Sequence, residues 1–97
     1  MREIVISPTG KKKLEGIFSY LENEFSEKTK QEFISLIEKI VERIIKYPES
    51  YPKSIKMKSV RRCLINKHTV MFYRIHKTNI EILTFFDNRQ SPDSSPY

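Results

Sequence analysis

Three short apolar segments decide the fold: VRRCLI at residues 60–65, VMFYRI at residues 70–75 and IEILTFF at residues 80–86. Each is rich in β-branched and aromatic residues, which is typical of β-strands. The connections are short, with a turn near Asn66-Lys67 and another at residues 77–79. Strands joined by short turns pair with their neighbours, so these segments predict an antiparallel meander.

A fourth strand and a helix are predicted at the start of the chain. Ile4-Val5-Ile6 is β-branched and ends at Ser7-Pro8. Ser7 can cap a helix, and proline is favoured at the first helical position because its missing N–H has no partner there. The apolar residues that follow recur at helical spacing and cover a stripe of about 100°; they are Leu14, Ile17, Phe18, Leu21 and Phe25.

A second helix begins at Ser26 or at Thr29, where residues 29–32 fit a capping box. It ends at Tyr47-Pro48, because the residue before proline avoids the α region. Its apolar stripe spans roughly 180°, which leaves two interpretations open. The helix lies between the first helix and the sheet, or it exposes a groove for a partner. The stripe contains Phe33, Ile34, Leu36, Ile37, Ile40, Val41, Ile44 and Ile45.

The order β-α-α-β-β-β predicts an α+β fold, in which a helical hairpin packs on a mainly antiparallel sheet of about four strands. Its 97 residues are enough for a single domain, residues 1–97, with one modest core. Two prolines and two consecutive serines predict that the C-terminal tail, residues 88–97, is irregular and partly mobile.

Several classes of function are disfavoured by the composition. Cys63 is the only cysteine, which excludes an internal disulfide framework and a four-thiolate zinc site. His68 and His76 lack metal-ligand spacing, so we expect no metal and no cofactor. No apolar run approaches 18 residues and no signal peptide is evident, so we expect a cytoplasmic protein without a membrane partner.

Positive charge is concentrated in one part of the chain. The net charge is +6, from 18 basic and 12 acidic residues. Residues 53–77 contain no acidic residue but eight basic ones: Lys53, Lys56, Lys58, Arg61, Arg62, Lys67, Arg74 and Lys77. Such a stretch attracts phosphate backbones or an acidic protein, or it is simply a solvated surface that keeps a small protein soluble.

Strand alternation places Arg62 and Arg74 on one face of the meander, and Arg61 and Tyr73 on the other. An exposed Tyr73 stacks on bases in this interpretation. We therefore expect target or nucleic-acid contacts from Lys56, Lys58, Arg61, Arg62, Tyr73 and Arg74. RNA cleavage also needs a proton shuttle. His68 is the only candidate nearby, and a turn histidine is usually just a turn residue, so the pattern supports a basic surface rather than catalysis.

Particular strings in this order resemble the RelE/ParE family of bacterial toxins, found in type II toxin–antitoxin and plasmid-stabilisation modules. The strings are Val60-Arg61-Arg62, then Phe72-Tyr73-Arg74-Ile75, then Ile80-Glu81-Ile82-Leu83 leading to Asp87-Asn88-Arg89-Gln90-Ser91-Pro92. The resemblance implies a toxin that is neutralised by a cognate antitoxin and that forms a homodimer or a toxin–antitoxin hetero-oligomer. An antitoxin segment would then cover the hairpin and sheet, contacting Phe33, Ile37, Ile40, Val41 and Ile44.

The family divides by target. RelE-like members cut ribosome-bound mRNA with clustered basic residues and a C-terminal arginine and tyrosine, whereas ParE-like members inhibit DNA gyrase and lack that set. Val70 falls at or near a position where RNA-cleaving members have arginine, and Tyr97 matches the tyrosine poorly. We therefore favour a ParE-like gyrase inhibitor over a ribosome-dependent endoribonuclease, with a non-toxic basic binding module as a third alternative. If the protein is a ribonuclease, the catalytic candidates are Arg61, Arg62, Arg89 and His68.

Overall fold

A computed structural model describes all residues, 1–97, and confirms the predicted α+β fold and order of elements. The strands end within one residue of their predicted bounds. The elements are β1 (Glu3–Ile6), α1 (Pro8–Glu24), α2 (Glu27–Lys46), β2 (Arg61–Leu64), β3 (Thr69–Ile75), β4 (Asn79–Asp87) and a short 3₁₀ helix (Pro92–Ser94).

The four strands form one mixed sheet in the order β1-β4-β3-β2. The predicted meander is present, because β2 pairs antiparallel with β3, and β3 with β4. The helical hairpin and the loop after it carry the chain from β1, at one edge of the sheet, to β2 at the other edge. β1 pairs parallel with β4, with Ile4 opposite Ile80. Neither helix is long and apolar enough to cross a membrane.

Serine side chains begin both helices. The Ser7 hydroxyl oxygen accepts a hydrogen bond from the Gly10 N–H (3.0 Å) and donates to the Leu83 carbonyl (2.7 Å), which joins the start of α1 to β4. Ser26 caps α2 by accepting from the Thr29 N–H at 3.1 Å. The alternative start at Thr29 is therefore wrong, because the earlier serine already satisfies that amide.

Both faces of the sheet are covered by apolar residues. The helix-covered face carries the larger core, in which Cys63, Met71 and Tyr73 pack with residues of both helices. The opposite face, which we call the open face, has a smaller cluster of four residues: Val60, Val70, Phe72 and Leu83. Phe86 and Tyr97 pack against this second cluster.

The C-terminal tail lies across the open face. The Tyr97 ring packs on the Phe72 ring with centroids 5.4 Å apart. Lys56 donates to the carbonyls of Asp93 and Ser95. The prediction of an irregular tail is wrong in part, since Ser91 caps a 3₁₀ turn there through the Asp93 N–H.

Candidate functional site

The basic residues of the 53–77 stretch are distributed over several surfaces. Arg62 and Arg74 lie on the open face with Phe72, as strand alternation requires. Arg61 lies on the helix-covered side with Cys63. Lys67 and Lys77 are exposed in the two turns of the meander. The open face and the loop beside it therefore carry only part of the excess charge.

Arg61 is fixed to the loop that follows α2. Its guanidinium donates to the carbonyl of Tyr51 at 2.8 Å and to that of Glu49 at 3.3 Å. Two of its donor hydrogens are thus used to hold the loop against β2. Both of the roles predicted for Arg61, catalysis and target contact, compete with this structural one.

The open-face arginines contact the neighbouring loop and tail. Arg62 donates to the Asn88 side-chain oxygen at 3.1 Å. Arg74 lies 3.4 Å from the Met57 sulfur, and its Nε is buried without a partner. Neither guanidinium is paired with a carboxylate, so both keep their positive charge available to an anionic group of a partner.

Tyr73 does not serve as the exposed stacking platform that we predicted. Its ring is completely buried, and its hydroxyl donates to the Pro48 carbonyl at 2.7 Å. Burial raises the pKa of the Tyr73 phenol to about 12. Strand alternation gave the correct side of β3, but that side faces the helices, so the expected base contact is wrong.

Only part of the apolar stripe on α2 is available to a partner. Phe33 and Ile44 are 6% and 1% exposed and belong to the protein's own core, so their prediction as antitoxin contacts is wrong. Ile37, Ile40 and Val41 pack against that core but remain partly exposed. One edge of the stripe therefore completes the core, as the first interpretation requires, and the partner groove of the second interpretation stays a prediction.

A groove of about 530 Å³ opens between the helical hairpin and the carboxyl end of β4. Its apolar floor includes Leu21, Phe33 and Phe85, and the half-exposed rings of Tyr20 and Phe25 line its edge. These two rings meet edge to face, 6.0 Å apart. Its volume and mixed lining fall within the range of small-ligand and peptide-anchor sites.

His68 and Arg89 come together at this groove with Asp87. The Arg89 guanidinium donates to both Asp87 carboxylate oxygens, at 3.0 and 2.8 Å, and the Arg89 N–H donates to the first of them at 2.9 Å. These hydrogen bonds lower the pKa of Asp87 to about 2. The carboxylate therefore stays ionised and neutralises Arg89.

His68 occupies a tight turn. Asn66 accepts hydrogen bonds from the N–H groups of His68 and Thr69, both at 2.9 Å, and the His68 carbonyl accepts from Asn88. These bonds account for the turn without any role for the imidazole, whose ring is exposed. No group of three or more His, Cys, Asp or Glu side chains is placed to hold a metal ion.

The sequence analysis missed the groove and the role of Asp87. Tyr20 was outside the predicted apolar stripe, and Phe25 was assigned to the helix's buried face, although the structure exposes it. The spacing of Asp87 and Arg89 at the end of a strand was the available signal. An aspartate two residues before an arginine can accept both its backbone and its side-chain donors.

Comparison with known proteins assigns a family to this architecture. A family model described as the ParE toxin of the type II toxin–antitoxin system parDE matches residues 4–92. Among curated proteins no sequence matches.

Solved structures share the fold at low sequence identity. One, from the chromosomal ParDE toxin–antitoxin system of P. aeruginosa, is 12% identical with a TM-score of 0.74, over 90% of this chain and 96% of that one. The YoeB dimer of Staphylococcus aureus is 15% identical with a TM-score of 0.62, over 86% and 92%. A chain of the E. coli DinJ–YafQ complex is 9% identical with a TM-score of 0.63, over 92% and 96%.

Proposed function

The chain belongs to the ParE toxin family of type II toxin–antitoxin systems, and from this premise we propose that it arrests growth by binding and inhibiting DNA gyrase in the cytoplasm. In this proposal the protein acts by occupying its target and carries out no chemistry of its own. The observation that carries the proposal is the pairing of Arg89 with Asp87.

Stabilising a phosphorane during RNA cleavage requires a cation whose charge is not already neutralised, and a group that can move a proton. Arg89 is neutralised by Asp87, and Arg61 is used by two backbone carbonyls. Tyr97 packs on Phe72. Of the four ribonuclease candidates, Arg61 and Arg89 are therefore held in structural contacts, whereas Arg62 is not paired with a carboxylate and the His68 ring is exposed. The loss of two of the four favours an inhibitor without catalysis.

The alternative function, ribosome-dependent mRNA cleavage, is favoured by one observation. Arg62, His68 and Arg89 all contact the short segment Asp87-Asn88, either through their side chains or through the backbone. If RNA displaced Asp87 from Arg89, the freed guanidinium would lie beside the segment that Arg62 and His68 also contact. This alternative requires that displacement, whereas gyrase inhibition does not.

We further propose that a cognate antitoxin covers the exposed part of α2. Ile37, Ile40 and Val41 form a partly exposed apolar strip on this helix, next to the buried Ile44. An amphipathic antitoxin segment would bury this strip, and acidic side chains would suit the chain's net charge of +6. The toxin–antitoxin complexes among the structural neighbours support a partner of this kind.

Two assays on the full chain test the proposal. With purified protein, supercoiling by DNA gyrase is expected to fall as the protein is titrated in. In cells that express the protein, primer extension on mRNA is expected to show no new ends. Supercoiling that is unchanged at a large molar excess of the protein would count against gyrase inhibition. New mRNA ends that disappear in Arg89→Ala would instead establish the ribonuclease alternative.

A further inference from the structure

The loop of residues 52–60, which we call the β2 loop, presents two apolar side chains to solvent. Ile55 is 99% exposed and Met57 is 42% exposed. Between and around them lie Lys53, Lys56 and Lys58. Single exposed apolar residues are common on protein surfaces, but an isoleucine without any cover, two residues from a second exposed apolar side chain, is typical of an anchor for a partner.

The β2 loop is held in place by its own hydrogen bonds. Ser54 N–H donates to the Val60 carbonyl at 2.7 Å, and Val60 N–H donates to the Met57 carbonyl at 3.0 Å. Arg62 N–H donates to the Pro52 carbonyl at 2.8 Å. Ser54, adjacent to Ile55, is 2% exposed. Ile55 therefore projects from a turn that is already ordered in the free protein, so binding a partner does not carry the entropic cost of ordering it.

The loop is continuous with the open-face arginines. Arg74 lies 3.4 Å from the Met57 sulfur, so the second apolar side chain rests beside a guanidinium. No acidic residue occurs between positions 53 and 77. A partner that receives Ile55 and Met57 therefore meets positive charge around both of them, and carboxylates around an apolar pocket are the chemistry that complements this surface.

We propose that the β2 loop is a docking element, which inserts Ile55 and Met57 into an apolar pocket with an acidic rim on the protein target of the toxin. This inference rests on the proposed function, because it names the part of the toxin that grips the target. A nucleic acid would use the lysines but would gain little from an isoleucine, since phosphates and sugars offer no pocket to bury it.

The test uses the full-length protein expressed from an inducible promoter in bacteria without an antitoxin. The charge-preserving variant is Ile55→Ser/Met57→Ser. The matched variant Lys53→Gln/Lys58→Gln keeps both apolar side chains and removes two charges. Ile55→Leu is the conservative control. Growth is followed against the amount of toxin on immunoblots, and thermal unfolding of each purified variant verifies that the fold is intact.

Growth arrest is expected to require at least about tenfold more of the serine variant than of the wild type, because burying an anchor of this size strengthens binding by at least that factor. Ile55→Leu is expected to retain arrest. A serine variant as potent as the wild type would overturn the inference. Loss confined to the lysine variant would overturn it in favour of a nucleic-acid contact.

The wild-type chain separates failure of this inference from failure of the proposed function. If it arrests growth without inhibiting gyrase, the gyrase proposal fails and the potency of the serine variant still decides the role of the loop. If it does not arrest growth at all, the toxin function falls and the docking inference falls with it.

Discussion

Arg89 and Asp87 form a two-pronged ion pair at the end of β4, with Nε 3.0 Å and Nη2 2.8 Å from the two carboxylate oxygens. The pair lies at the edge of the groove beneath the helical hairpin. It ties the start of the C-terminal tail to the last residue of the strand. Because the two charges cancel, the pair adds no net positive charge to this end of the sheet.

The pH dependence of stability should reveal this ion pair. The pKa of Asp87 falls from an ordinary 3.8 to about 2 in the folded protein. A carboxyl with a lowered folded-state pKa stabilises the fold above its unfolded pKa, and that contribution is lost as the pH falls through about 2. Asp87→Asn should therefore melt at a lower temperature than the wild type at pH 5, and the gap should narrow between pH 4 and pH 2. A gap that does not change with pH would contradict the assignment.

Tyr73 acts in this structure as a core residue that closes the end of α2. Tyr73→Phe removes the hydrogen bond to the Pro48 carbonyl and should cost about 1 kcal/mol in the free energy of unfolding. Growth arrest should persist, since the ring makes no contact outside the fold. Tyr47→Phe, at a ring that is 57% exposed, is the matched control and should leave stability unchanged in urea denaturation. Loss of arrest in a folded Tyr73→Phe protein would restore the contact role that burial excludes.

The sequence correctly predicted the helices and strands, and which residues share one side of a strand. It did not predict which side of the sheet the helices and the tail cover. Alternation correctly separated Arg74 from Tyr73, but the period of a strand does not say which side the helices occupy. The covering of the open face by Tyr97 depends on a contact across 25 residues to Phe72, which no local pattern encodes. The start of α2 was ambiguous because Ser26 and Thr29 are both good caps.

The groove was hidden for a related reason. It forms where the α1–α2 turn meets the β2–β3 turn and the end of β4, and these segments lie far apart in the chain. Each contributes residues that are unremarkable alone, such as Phe25 and Asn66. The sequence shows the positive charge of Arg89, but its pairing with the Asp87 carboxylate depends on side-chain geometry that composition does not specify.

The exposed strip of α2 should affect neutralisation without affecting toxicity. Ile37→Ser/Ile40→Ser removes apolar area that is only partly buried in the free toxin, so the variant should fold and still arrest growth. Coexpressed antitoxin should restore growth less well for this variant than for the wild type, because truncating an anchor in the core of an interface costs about 1 kcal/mol or more of binding free energy.

Ile44→Ala is the contrasting variant. Its side chain is 1% exposed, and the cavity should lower stability by about 2–5 kcal/mol. Equal rescue of Ile37→Ser/Ile40→Ser and wild type would place the antitoxin elsewhere.

The tail should depend on its last residue for its position. Tyr97→Ala removes a ring that packs 5.4 Å from Phe72 and should cost about 1 kcal/mol or slightly more. Hydrogen exchange at Val70 and Phe72 is expected to rise, because the open face loses its cover. Ser94→Ala, at an exposed position of the same tail, is the control for unrelated changes. Unchanged exchange on β3 in Tyr97→Ala would mean that the tail protects the sheet without this ring.

The two glycines of α1 provide the sharpest test of the contact between this helix and β4. Alanine is preferred to glycine in a helix by about 1 kcal/mol, so Gly16→Ala, where an added methyl group meets nothing within 4 Å, should raise the melting temperature.

At Gly10 the same methyl group would lie 3.0 Å from the Ile82 carbonyl oxygen and 3.2 Å from that of Leu83. Both carbonyls accept hydrogen bonds from Ser7, so they cannot retreat without breaking the junction between β1, α1 and β4. Overpacking of this kind outweighs the gain in helix propensity. Gly10→Ala should therefore lose about 1–2 kcal/mol in urea denaturation, and opposite signs for the two substitutions are the expected result. A stabilised Gly10→Ala protein would mean that α1 can move away from β4 at little cost.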